Sequence, residues 1–366
     1  MTLIAAAAIL AGGHSAYAGG NFSGKIRKSD IATVCDTVAA WQIANHASCK
    51  HNNYSWTNGA LFRGMFEWAE TSGNEQCHSF LTKVGKSTRW SPGSRVYHAD
   101  DICVCQTYIK MYEKYGDSRM IQPAKERAFW IASHPSNAPM LKSDPVGKNE
   151  RWSWCDALFM AAPVFASLYR ITGEEVFAEY LRNEFRESTD SLYDKDDHLY
   201  YRDNTRIPKR EKNGAKQFWS RGNGWVFAAI PLILDELPTD DATRPYYENI
   251  FREMAEAVTA LQDKDGHWHA SMMDPGSYPD PENSGSAFFC YGLAWGIRHG
   301  IIDGKTYWKP LKKGWKALVE AVHDNGMLGH VQPVGAGPNK SAYDQTEVYG
   351  VGALLLAGSE LYKLAE

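Results

Sequence analysis

The sequence predicts an all-α fold, an (α/α)6 barrel, on two observations: six segments repeat one layout, and helices of two kinds alternate along the chain. The repeated layout is a polar or glycine-rich head followed by a long apolar helix. The heads are Trp56-Thr57-Asn58-Gly59, His98-Ala99-Asp100-Asp101, Trp154-Cys155-Asp156, Arg221-Gly222-Asn223-Gly224, Asn283-Ser284-Gly285 and Thr346-Glu347. They recur at roughly 45–65 residues, and self-similarity at a near-fixed period marks a repeat architecture. Between them, segments 31–45, 76–84, 120–133, 174–188, 246–262 and 311–322 carry one apolar stripe and a charged face. A helix apolar on most sides is buried, and one with a single stripe faces solvent. Six inner and six outer helices in alternation close into a ring. An open two-domain α-solenoid is the structural alternative; near-equal inner helices and the lack of a linker favour closure. Alternating strand patterns are few, and residues 198–203 (HLYYRD) read as a short strand or hairpin.

Bulk properties fit a single large ring. A chain of 366 residues exceeds the size at which one ordinary core stops growing. The net charge of −4 and pI of 6.3 lack the basic footprint of a nucleic-acid partner. The 13 Trp and 19 Tyr are the compositional outlier. Flat rings stack on the apolar face of a pyranose, while an aromatic-rich core accounts for about half of them. The start is apolar and small and runs to Ala16-Tyr17-Ala18, an A-x-A pattern, although it lacks a basic n-region. It reads as a signal peptide over 1–18, which places the protein in the bacterial periplasm and leaves 19–366 as one catalytic barrel. No stretch spans a membrane. Seven cysteines cannot all pair internally, and their spacing is not a disulfide framework, so buried thiols are expected.

The common catalytic patterns are missing: there is no H-E-x-x-H, G-x-S-x-G or G-x-G-x-x-G. Asp194-Lys195-Asp196-Asp197-His198 begins like a calcium loop but lacks the central glycine and terminal glutamate of an EF-hand. It reads as a polar turn, as does Asp263-Lys264-Asp265-Gly266. Cys103 and Cys105 diverge by about 200° on a helix, which argues against a shared metal. No metal and no cofactor are expected.

What remains are carboxylates, aromatics and a few cations. If the heads are the N-termini of the inner helices, all converge on one mouth. His98, Asp100, Asp101, Trp154, Asp156, Trp219, Arg221, Asn223, Trp225, Glu282 and Glu347 then surround one cavity. Each polar residue alone reads as a helix cap; their coincidence points to a site. Such groups suit glycosidic chemistry, in which one carboxyl moves a proton and another assists.

Four segments carry a family resemblance: RWSWCDALFMAAP at 151–163, FWSRGNGW at 218–225, YHADDICVCQTY at 97–108 and TEVYGVGALLLAGSEL at 346–361. They resemble the unsaturated rhamnogalacturonyl and glucuronyl hydrolases of glycoside hydrolase family 105, relatives of family 88. The likeness runs from about residue 56 to 361. It implies the same barrel and an oligosaccharide substrate ending in a 4,5-unsaturated uronic acid. It also implies hydration of that double bond: the aspartate matching Asp156 protonates C4, then takes a proton from water adding at C5. The hemiketal so formed opens and expels the aglycone. The second family aspartate matches Asp101, with Asp100 adjacent in register. Trp219, Arg221 and Trp225 match substrate-site residues, with Arg221 set to face the substrate carboxylate or to form a structural salt bridge. His98, Trp154 and Asn223 join them as heads of the same mouth. Where rhamnogalacturonan-type members carry a substrate-contacting His, this chain has Arg202, with His198 nearby but out of register. Arg202 is therefore expected to tune the aglycone site, toward a sugar other than rhamnose.

An aspartate that acts as acid and then base needs a pKa near working pH. Free Asp lies near 3.9, and a helix N-terminus lowers it. Desolvation by Trp152, Trp154 and Trp219 and a facing Asp101 are expected to oppose that. Two rival readings stay open. An inverting glycosidase or sugar epimerase would use Glu282 or Glu347 as the second carboxylate. A non-catalytic sugar-binding ring would keep the aromatics and tolerate loss of Asp156.

Overall fold

The computed structural model describes residues 20–141 and 149–365; the expected signal peptide over 1–18 lies outside the described residues. Outer helices α1 (Lys28–Asn45), α3 (Glu75–Thr88), α6 (Gln122–Ser133), α9 (Glu175–Leu192), α11 (Arg244–Ala260) and α13 (Gly304–Glu320) alternate with an inner set. The inner set is α2 (Trp56–Ser72), α4 with α5 (Ala99–Ile102 and Cys105–Tyr115), α7 with α8 (Asp156–Met160 and Ala162–Thr172), α10 (Ser220–Leu234), α12 (Asn283–Arg298) and α14 (Val348–Leu364). Each inner member packs on the next, and α14 returns to α2. The ring is closed, and the open solenoid is excluded.

Burial follows the expected division. Every residue of α10 is buried, while α9 buries one stripe that includes Phe177, Leu181 and Phe185. Closure depends on two glycines in the α2–α14 contact. A Cβ on Gly64 would stand 2.0 Å from the carbonyl oxygen of Gly352, and one on Gly352 would stand 2.2 Å from that of Ala60. The two backbones touch, and neither position has room for a side chain.

Two inner helices are broken where the sequence suggested continuous ones. Pro163 near the start of α8 has no N–H to donate, and its ring crowds the carbonyl four residues back, that of Phe159. The amide of Gln106 takes over, donating to the carbonyls of Phe159 at 2.7 Å and Met160 at 3.3 Å. The other break falls at Cys103 and Val104, where Cys103 sits against the position of Gly59.

The expected hairpin is present as β1 (Tyr193–Asp194) paired antiparallel with β2 (Leu199–Tyr200). Its turn is the polar loop that resembled a calcium site: Asp194 Oδ1 accepts from the backbone N–H groups of Asp196 and Asp197, and Lys216 pairs with Asp194 and Asp197. Asp263 closes the second polar turn on the N–H groups of Asp265, Gly266 and His267. All seven cysteines are free thiols, buried except for half-buried Cys49. Nine tryptophans, Trp154, Trp219 and Trp225 among them, and seven tyrosines are buried, half of the 32 such rings in the chain, as the composition suggested.

Candidate active site

The inner-helix heads do converge. Trp225 stands at the centre of an aromatic floor, 5.8 Å from Trp56, 4.7 Å from Phe159 and 4.5 Å from Phe288 between ring centroids. Tyr349 stacks on Trp56 at 5.3 Å. Trp225 is therefore a floor residue and fully buried.

Asp156 is the first residue of α7 and is 7% exposed. The chain before it is tied to the segment after β2: the backbone N–H of Cys155 donates to the Arg202 carbonyl at 2.9 Å, and Trp154 bridges Asp203. This pairing delivers Arg202 to the aspartate. Its Nε lies 3.3 Å from Asp156 Oδ2, and its Nη1 donates to Asp203 Oδ2 at 2.8 Å. Asp203, 2% exposed, also accepts from the backbone and hydroxyl of Thr205. Burial works to lower the pKa of Arg202, but Asp156 and Asp203 more than offset it and hold the guanidinium charged. Burial likewise pushes Asp203 up, and its bonds to Arg202 and Thr205 bring it below the ordinary carboxylate value. Burial, reinforced by the Asp156 charge, raises the Cys155 thiol far up, so it stays protonated.

Asp101 is not the carboxylate that opposes Asp156. Its oxygens accept from the Arg95 backbone at 2.7 Å and from Arg95 Nε and Nη2 at 3.0 and 2.5 Å. The group that meets Asp156 is a cation, Arg202. Asp100 and Asp101 both line a cavity of about 810 Å3 at the mouth, with Trp56, Arg95 and Arg127. The His98 ring lies against Trp154, with centroids 5.0 Å apart, and its Nδ1 accepts from the Asp100 backbone at 3.3 Å. His98 thus joins the Asp100 strip to the Asp156 strip.

Several residues expected to contact substrate also hold other parts of the chain in place. Arg221 is fully buried and forms no salt bridge among the described residues. It is sandwiched over Trp219 and Tyr349, 4.3 and 4.8 Å from their centroids, and donates to the carbonyls of Gln332 and Pro333. It anchors the loop after α13. Asn223 is fully buried and treats Tyr200 as a strand partner, accepting from its N–H at 2.7 Å and donating to its carbonyl at 3.1 Å. It fixes the hairpin that carries Arg202. Trp219 donates its indole N–H to Gln332 Oε1 at 3.0 Å. Glu282 is a buried N-cap of α12, bonded to Ser284, Gly285 and the N–H of Gln332. Glu347 pairs with His51 at 2.9 Å. His198 points to Tyr193 and Glu253 on the outer surface and does not replace a site histidine.

Three contributors escaped the sequence reading. Asp203 lay one residue beyond a recognised position; its adjacency to Arg202 was the available signal. Tyr349 sits just past the Thr346-Glu347 head, where an aromatic could have been flagged. Gln332 belongs to a loop without pattern, and nothing in the sequence marks it.

The profile described as Glycosyl Hydrolase Family 88 matches residues 32–365. An unsaturated 3S-rhamnoglycuronyl hydrolase of Formosa agariphila is 36% identical over 353 residues, covering 93% of both chains. Its namesake from an Alteromonas species is 34% identical over 355 residues, 91% of this chain and 86% of the relative. The solved structure of a glycosyl hydrolase family 88 protein from Bacteroides vulgatus superposes with a TM-score of 0.82 at 29% identity, covering 92% of this chain and 99% of that one. The chain belongs to glycosyl hydrolase family 88.

Proposed function

We propose that this enzyme removes a 4,5-unsaturated uronic acid from the non-reducing end of lyase-generated oligosaccharides, by hydrating the C4=C5 bond. The observation that carries this reading is the state of the carboxylates. Glu282 is consumed as a helix cap and Glu347 is paired with His51, so neither suits the second role of a two-carboxylate glycosidase. Asp156 stands at the head of an inner helix with one cation against it. A single aspartate is enough for hydration. Its protonated form donates to C4; the carboxylate so formed accepts a proton from the water that adds at C5. The hemiketal then collapses to an open keto sugar and the aglycone leaves. Asp100, which borders the mouth cavity, is better placed than Asp101 to assist, because Asp101 is committed to Arg95. Segments 151–163 and 218–225 support placing the enzyme with family 105 within the wider group, and the apolar start that runs to Ala16-Tyr17-Ala18 supports action in the periplasm.

The two 3S-rhamnoglycuronyl relatives favour an aglycone of the rhamnose class, a reading opposite to the expectation drawn from Arg202. Arg202 does not speak to the aglycone, since it is directed at Asp156.

The test is turnover in heavy water. The conjugated ultraviolet absorbance of the substrate should disappear, and the released sugar should carry deuterium at C4. Asp156→Asn should fold, bind substrate and lose about 10²–10⁴-fold in kcat. A released sugar that keeps its chromophore would rule out hydration.

A further inference from the structure

A second cavity, of about 350 Å3, opens at the same mouth between the C-terminal end of α1 and the head of α14. The stretch from Lys50 to Trp56 separates it from the larger cavity: Lys50 and His51 line one side, Asn52 and Tyr54 the other. This wall is preformed. Buried Asn58 donates to the carbonyls of His51 and Asn52 at 3.2 and 3.0 Å, and His51 is locked to Glu347.

The lining holds a polar side chain that the fold does not satisfy. Gln42 is 3% exposed and borders the cavity, and its amide makes no hydrogen bond among the described residues. The amide is thus left to whatever fills the cavity. Trp41 adds a half-buried ring to the wall. An amide that both donates and accepts and an aromatic ring are groups that hold a sugar. His51 and Glu347 are paired with each other and Lys50 is exposed, so the lining presents no buried unpaired charge to an ionic ligand. The volume lies at the lower end of small-ligand pockets, about 300–1,000 Å3, and suits one ring.

We propose that this cavity is a distal saccharide subsite, holding a neutral sugar ring of the oligosaccharide whose unsaturated end lies at Asp156. The inference rests on the hydrolase reading above. Gln42 binds the ring's hydroxyls, and Trp41 covers its apolar face.

The experiment compares a lyase-made disaccharide and tetrasaccharide as substrates of the full chain. The unmodified enzyme should show a KM for the tetrasaccharide about 3–10-fold below that for the disaccharide, the worth of one or so neutral hydrogen bonds. Gln42→Met removes the amide at similar length. It should raise the tetrasaccharide KM to the disaccharide value while the melting temperature stays level or rises, a pairing that a merely structural amide would not give. Trp41→Ala should act in the same direction on KM. Equal KM values for both lengths in the unmodified enzyme would overturn the subsite. So would a Gln42→Met variant that melts lower and weakens both substrates alike. Turnover of neither substrate by the unmodified chain would overturn the hydrolase reading, and this subsite with it.

Discussion

At the scale of residues, the site is organised by a chain of charge: Asp156, Arg202, Asp203 and Thr205 in contact order. Other charged groups on the elements packed around Asp156 are His98, Asp100 and Asp101 at α4 and Arg221 on α10, and the last two are engaged elsewhere. Asp203 therefore works as a positioning residue through Arg202. Asp203→Asn should lower kcat by about 10–100-fold, the usual cost of a small misplacement, with a smaller change in KM; Asp203→Glu should recover part of it. Steady-state kinetics on one oligosaccharide checks both. The same residue has a stability signature. Its folded pKa is depressed, so its contribution is present above the unfolded value near 3.9 and is lost as pH falls through the lower folded value. Urea unfolding of the unmodified enzyme should weaken on acidification below about pH 4. Asp203→Asn should be less stable near neutrality and should lack that part of the acid dependence.

At the scale of elements, the inner helices tolerate little change where their backbones meet. Gly352→Ala places a Cβ 2.2 Å from the Ala60 carbonyl oxygen, and backbone cannot swing aside as a side chain can. A loss of about 1–3 kcal/mol is expected from such overpacking, measured by denaturant unfolding. Ala60→Gly in the same chain should not restore stability, because the clash is with a carbonyl. The broken helix of α7 and α8 shows the complementary device. Pro163 opens the hydrogen-bond ladder, Gln106 from the neighbouring inner helix closes it, and Asp156 is left at the head of a short, separately anchored turn. Pro163 was the signal for this break in the sequence, since it lies inside the apolar run that begins at Ala157, where a proline interrupts a helix.

At the scale of the whole molecule, α14 returns to α2 and no terminal repeat is left open. A linear repeat array frays from its ends, whereas a closed ring has none. Thermal unfolding followed by far-ultraviolet circular dichroism and by tryptophan fluorescence should therefore give coincident transitions. Separate midpoints would mean that part of the ring opens on its own.

The alternation of two helix types, the closed ring and the shared mouth were all legible in the chain. They follow from hydrophobic periodicity and from heads placed at one end of each inner helix, both local properties of sequence. The identity of Asp156 as the head of α7 was legible for the same reason, once its segment was compared with a family. The direction of side chains was not. Arg221, Asn223 and Glu282 have the residue types of a sugar site, yet each serves a backbone group brought to it from far along the chain: Gln332 and Pro333, Tyr200, and the N–H groups at the start of α12. Arg202 was placed at the aglycone by position, and the pairing of Trp154 with Asp203 turned it onto Asp156 instead. A buried polar group must find a partner, and which partner it finds is decided by packing between segments distant in sequence, which only the tertiary structure settles.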